Sequence, residues 1–268
     1  MPDIHILGLG IRIGDHATRE AERALAASTE VLFVDTGPAT AAWLARHCPK
    51  VTPLFATSYT EAGRRRAGYH DMAARVLGAA LDNPPVSFAI QGHPFVGVLA
   101  SGLILRGAAA LGLEVEAQPG ISAMDCIMAE LGLDPLRAGL QSYEATDMLL
   151  RRRPLQPDVP ALIWQAGVVE SCLHSTRPSR PERFERLRDH LLAFYPAAHP
   201  VTAVFASPHP FVPTERWSVP LGQLDAAAPH LHAGITLYLP PAGERPIADA
   251  ALLARLEDPE HLARITRR

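Results

Sequence analysis

Leu113-Glu114-Val115-Glu116-Ala117 runs into Pro119-Gly120-Ile121-Ser122-Ala123, and this passage decides the fold. The first five residues read as a strand, the Pro-Gly pair punctuates it, and Ser122 stands at an N-cap ahead of Ala123-Met124-Asp125. A strand that turns abruptly into a capped helix leaves first-turn backbone N–H groups facing outward, which suits the polar edge of a ligand. Gln91-Gly92-His93-Pro94 makes another tight turn, closing the strand-like run 86–91. In open α/β sheets, ligands bind at such carboxyl ends of strands.

Outward from these turns, β-rich runs at 4–7, 31–35, 51–55, 86–91 and 113–117 alternate with helical patterns near 18–27, 40–47, 65–81 and 99–111. That rhythm predicts an α/β fold with a mostly parallel sheet covered on both faces. Beyond Pro119 the order changes. A helix over 122–131 leads to strands predicted at 140–144, 161–165, 201–206 and 235–239, a polar Arg- and Pro-rich stretch at 171–188, and a short helix at 247–256. We therefore expect two domains, residues 1–118 and 119–268, with a ligand cleft between their sheets.

The 268 residues are 48% hydrophobic and 20% charged, as in a globular protein, and the formal charge of −3 gives no electrostatic reason to expect nucleic acid. Arg64 to Arg66 and Arg151 to Arg153 are local basic clusters, read as solvated faces. Cys48, Cys126 and Cys172 are too scattered for a disulfide framework or a zinc site, which points to a reducing cytoplasm. Twelve histidines without HExxH spacing argue for no metal. No signal peptide and no membrane-spanning run are legible. Gly8-Leu9-Gly10 follows the first strand, but the next glycine is Gly14, so the spacing departs from a dinucleotide-binding loop and reads as a tight strand-to-helix turn.

The Gln91-Gly92-His93-Pro94 and Pro119-Gly120-Ile121-Ser122-Ala123 turns together resemble those of tetrapyrrole-methylase-like methyltransferases. Tyr59-Thr-Glu-Ala-Gly-Arg-Arg65-Arg-Ala-Gly-Tyr69-His-Asp-Met72 and Gln141-Ser142-Tyr143-Glu144-Ala145-Thr146-Asp147 narrow the resemblance to the borosin-type peptide backbone N-methyltransferases. The resemblance spans residues 4 to about 241 and implies the two-domain tetrapyrrole-methylase-like (class III methyltransferase) fold, with a mixed second sheet. It further implies S-adenosylmethionine held by Gln91, Pro94, Val96, Ser122, Ala123, Trp164, Gln165, Thr236 and Leu237. A homodimer is implied as well. The residues after Pro241 lack the apolar run of an acceptor peptide, so the expected partner is a separately encoded precursor peptide. Three departures stand out: Gln91 where relatives carry an aromatic residue, Phe95 where they carry glycine, and Phe55 or Ala56 near the place of a further tyrosine.

A peptide nitrogen is a poor nucleophile because its lone pair is delocalised into the carbonyl. Methylating it requires removal of the N–H proton, stabilisation of the imidate oxygen, or both, and a tyrosine beside an arginine suits either task. Arg65 and Tyr69 lie four apart on a predicted helix and share a face. The resemblance assigns Tyr69 as base or oxyanion donor, Arg65 as its electrostatic partner, and Tyr59 as positioner of the acceptor. Tyr69, Met72 and Val76 also form an apolar helical stripe, the signature of a core tyrosine. Glu144 and Asp147 are three apart and would share a face if helical, as paired carboxylates or as structural groups on the cleft floor. Other readings are a methyltransferase acting on a tetrapyrrole or other small molecule, which would need a broad basic cleft, and a catalytically silent binding protein.

Overall fold

Short, doubly buried strands force helices onto both sides of the first sheet. In the computed structural model, which describes residues 1–35, 37–209 and 211–267, the first half runs β1 (Ile4–Gly8), α1 (Arg19–Ala27), β2 (Glu30–Val34), α2 (Pro38–Leu44), β3 (Val51–Pro53), α3 (Phe55–Ser58), α4 (Arg65–Asp82), β4 (Val86–Ile90), α5 (Leu99–Leu111) and β5 (Val115–Gln118). The five strands are parallel in the order β3-β2-β4-β1-β5. Ile4, Ile6 and Phe88 pack against Met72 and Val76 of α4 and Ile104 of α5. Leu7 and Phe33 face the other way, onto Leu25 of α1 and Trp43 and Leu44 of α2. The alternation read from the sequence has this cause: each buried strand needs apolar cover on two faces.

The second half runs α6 (Ala123–Leu131), α7 (Pro135–Ala138), β6 (Gln141–Glu144), α8 (Ala145–Arg151), β7 (Ala161–Trp164), α9 (Glu185–Leu192), β8 (Pro200–Phe205), β9 (Glu215–Pro220), β10 (Thr236–Leu239), α10 (Ala250–Leu253) and α11 (Pro259–Ile265). Its sheet is mixed, ordered β6-β7-β10-β8-β9, with only the β6–β7 pair parallel. Ile163 and Leu237 face a core containing Met148, Leu187 and Leu191. Leu162 and Val204 face α6 through Ile127. Helix α6 thus leaves the end of the first sheet and packs on the second.

The short helices α3, α7 and α8, strand β9 and the C-terminal helices differ from expectation. Strand β9 went unforeseen because Glu-Arg-Trp-Ser-Val-Pro is a half-exposed edge strand ending in proline. The helix expected at 247–256 shrinks to α10, capped by Asp249, and a separate α11 begins at Pro259 after the Asp258 cap. Among the described residues, no helix is long and apolar enough to cross a membrane.

The carboxyl ends of β1, β4 and β5 meet backbone to backbone. A Cβ on Gly8 would lie 2.6 Å from both Gly120 N and Gly92 O, and one on Gly120 would lie 2.5 Å from Gly92 O. Gly10 and Gly92 exchange N–H···O bonds of 2.9 and 3.2 Å just beyond. No larger residue fits where main-chain atoms are the neighbours. Gly120→Ala should therefore cost about 2–3 kcal/mol by overpacking, whereas Gly78→Ala in α4, whose Cβ meets nothing within 4 Å, should add about 0.5–1 kcal/mol. Urea unfolding checks both: the midpoint should fall for the first and rise for the second.

Candidate active site

The donor-side residues lie on the turns that leave this glycine contact. Gln91 donates from Nε2 to the Ile11 carbonyl at 3.1 Å, tying the turn after β4 to the loop after β1. Pro94 is buried, while Phe95, Val96 and Ile121 are large apolar side chains left exposed. Ser122 caps α6 as its sequence position indicated, but with both partners inside the chain: its Oγ accepts from Asp125 N–H at 3.2 Å, and its N–H donates to the Asp125 carboxylate at 2.6 Å. The capping box leaves the N–H groups of Ala123 and Met124 without a partner among the described residues. Outward-facing donors do exist at this turn, and they are backbone groups.

Trp164 and Gln165 end β7. The Trp164 indole donates to Ser142 Oγ at 2.7 Å and packs with Met124 and Ile127 of α6. Gln165 has left-handed backbone (φ 55°), and its Nε2 is the nearest atom, at 3.9 Å, to the Cβ position of Gly97. Thr236 and Leu237 open β10 and are both buried. Leu237 turns its side chain into the core of the second half, opposite the α6 face.

The acceptor-side residues meet at the start of α4. Tyr59 and Tyr69 pack edge to face with ring centroids 5.9 Å apart, and Tyr59 stacks on His174 at 5.0 Å and 17°. Gly68 permits this: a Cβ there would lie 2.6 Å from the Ser58 carbonyl and 2.8 Å from the Tyr59 ring. Arg65 donates from Nη1 to Gln165 Oε1 at 3.2 Å and from Nη2 to the Ser171 carbonyl at 2.6 Å. Through Gln165, the acceptor-side arginine reaches the donor-side turn. Burial above all, and then the neighbouring Tyr69 phenol, push the Tyr59 hydroxyl far above the ordinary tyrosine range, against the opposing pull of the Arg65 guanidinium. Tyr59 is a neutral donor at physiological pH. It cannot act as a base there.

A segment that the sequence left as a polar loop completes this side. His174 N–H donates to Gly63 O and Ala62 N–H to His174 O, both at 2.8 Å, and Arg65 N–H donates to Cys172 O at 2.9 Å. The last bond satisfies a helix-start donor of α4, which has no side-chain cap. Glu61 accepts from Ser175 Oγ at 2.7 Å and Thr176 N–H at 3.3 Å, which holds its carboxyl below the usual carboxylate range. No local signal marks these residues, because their partners lie more than a hundred positions away.

The Glu144–Asp147 pairing on one helical face is corrected. Glu144 ends β6 and caps α8, its carboxylate accepting from Asp147 N–H at 2.7 Å. Asp147 is held by Arg151 at 2.6 Å and Arg153 at 2.9 Å. Both carboxylates are structural. Away from the turns at Gln91 and Ser122, a 900 Å³ cavity opens between the end of α6 and residues 241–245, lined in part by Leu133, Arg137, Asp158, Tyr238 and Arg245. Its polar groups include the Arg245–Asp158 ion pair, and it holds none of the donor-side residues.

Unpaired backbone donors beside exposed apolar side chains fit a ligand with a charged amino-acid end and an aromatic base. Residues 3–207 match the family described as Tetrapyrrole (Corrin/Porphyrin) Methylases, and the chain belongs to that family. Solved structures share the fold: the methyltransferase CobJ at 20% identity and TM-score 0.66, covering 91% of this chain and 96% of that one. A uroporphyrin-III C-methyltransferase from Thermus thermophilus complexed with S-adenosylhomocysteine aligns at 15% identity and TM-score 0.63, covering 88% and 96%. Family membership indicates S-adenosylmethionine-dependent methylation. Among curated proteins, the methyltransferase/ribosomally synthesized type I borosin cyclic peptide precursor cmaMA of Coprinopsis marcescibilis is 30% identical over 246 residues, 88% of this chain. The chain spans 61% of that relative's length.

The Tyr59 environment is directly measurable. In protein carrying ring-labelled tyrosine, the resonance absent from Tyr59→Phe should keep its neutral-phenol carbon shift up to about pH 11, past the ordinary range near 10. Titration of that resonance with a midpoint near 10 would contradict the buried, Tyr69-facing placement.

Proposed function

We propose that this methylase transfers methyl groups from S-adenosylmethionine to backbone amide nitrogens of a ribosomally made precursor peptide encoded apart from it. The observation that carries the reading is the meeting of Tyr59, Arg65 and Tyr69, joined through Gln165 to the turn after β4. The borosin relatives at about 30% identity lend the acceptor class; they carry their precursor in the same chain. On this reading the chain divides at residue 118 and works as a homodimer in the cytoplasm.

S-adenosylmethionine supplies a methyl carbon on a positively charged sulfur that leaves as a neutral thioether. In the proposed site, the backbone N–H groups of Ala123 and Met124 hold its carboxylate, and Gln91, Pro94, Val96 and Trp164 wall the cleft. Thr236 and Leu237 contribute from β10, Leu237 through its main chain. Tyr59, neutral, donates to the acceptor and orients it. Among the described residues Arg65 is hydrogen-bonded only to neutral oxygens, so its charge remains available to the acceptor oxygen as the amide proton departs. Tyr69, as the phenolate, takes that proton, and the phenol so formed donates to the same oxygen. As the N–CH3 bond forms and the C–S bond breaks, the charge on the oxygen disappears and the neutral product is released.

Co-expression with candidate precursor peptides, followed by tandem mass spectrometry, tests the reading. Methylene-sized mass increments placed on backbone nitrogens are expected. Tyr69→Phe should keep donor affinity within about 2-fold by calorimetry and lose about 100-fold or more in rate, the scale of general acid–base assistance. Increments only on a peptide joined to the chain itself would overturn the separate-partner part. Donor binding with transfer to a tetrapyrrole instead would overturn the acceptor class.

A further inference from the structure

A second guanidinium is held by the same turn that holds Arg65. Arg183 sits in the 3₁₀ turn Pro181–Phe184, donating from Nε to the Val169 carbonyl and from Nη1 to Ser179 Oγ, both at 2.8 Å. Arg65 donates to the carbonyl two residues further on, that of Ser171. Between the two carbonyls stands Glu170, in left-handed backbone at φ 67°, with its N–H donated to Thr146 Oγ1 at 3.2 Å. One strained turn thus aims two carbonyls, either side of Glu170, at two arginines.

Neither guanidinium is bonded to a carboxylate among the described residues. Glu170, whose charge opposes that of Arg65 at Arg183, pairs its carboxylate with Arg186 at 3.4 Å. Burial, and then the charge of Arg65, weaken the hold of Arg183 on its proton, as expected of two cations sharing one partly buried place. A group that repels its neighbour in the empty site is stabilised when an anion arrives between them.

We propose that Arg65 and Arg183 form a two-guanidinium oxyanion site that takes the acceptor's carbonyl oxygen as it gains negative charge. The oxyanion chemistry stands on the two arginines; its assignment to an amide acceptor rests on the function proposed above. Arg183 supplies charge, and the Glu170 turn sets its distance from Arg65.

Sulfate is a suitable probe, because it needs no knowledge of the acceptor. Isothermal titration of the full chain at constant ionic strength should show sulfate binding that weakens about 10-fold or more in Arg183→Gln and stays within about 3-fold in Arg183→Lys. The remote, exposed Arg106→Gln should match the parent, and thermal unfolding of each variant checks that it is folded. The order of the two Arg183 variants separates charge from propping, since glutamine can still donate to Val169 O. Sulfate binding unchanged in Arg183→Gln, or equally lost in both variants, would overturn the proposal. If sulfate behaves as expected while no peptide is methylated, the oxyanion site stands and the acceptor class falls.

Discussion

Two glycines without room for a side chain, Gly8 and Gly120, and a third in left-handed backbone, Gly92, set the geometry of everything built above the first sheet. Gly8, Gly92 and Gly120 bring the ends of β1, β4 and β5 into main-chain contact, so the three following loops leave from one point. The loops after β4 and β5 carry Gln91, Pro94, Val96, Ser122 and Ala123, and the loop after β5 also launches α6. Because α6 then packs on the second sheet through Ile127, the contact also fixes where the second half meets the first. A single added methyl group would push apart strands, donor turns and the layer beneath them together.

The acceptor side depends on a different device. Helix α4 begins without a capping side chain, and its first N–H is satisfied by the Cys172 carbonyl of a distant loop. The same loop stacks His174 on Tyr59 and offers the Ser171 carbonyl to Arg65. Helix start, tyrosine placement and arginine orientation are therefore one cooperative unit. Gln165, just after β7, accepts from Arg65 and lies against Gly97, so this unit meets the turn after β4.

The legible parts of the sequence were those set by local rules. Buried strands announced themselves as apolar runs such as Val86-Ser-Phe-Ala-Ile90, and the Ser122 cap and the Gly92 and Gly120 turns followed from side-chain chemistry within four residues. Arg65 and Tyr69 fell on one helix as their spacing required. Strand β9 escaped because an edge strand needs only half an apolar face. Glu144 stayed open between a functional and a structural carboxylate because a cap and an acid look alike in sequence, and only the switch from β6 to α8 decides between them. The docking of residues 172–176 and the holding of Arg65 and Arg183 by one turn arise from contacts across the chain that no periodicity records.

The measurement that bears most directly on this account is a crystal structure with S-adenosylhomocysteine bound. The account predicts its amino-acid end at the Ala123 and Met124 N–H groups, with its sulfur open toward Tyr69 and Arg65. A molecule seated instead in the 900 Å³ cavity beside Tyr238 and Arg245 would contradict it, and with it the reading of the glycine contact as the foundation of the active site.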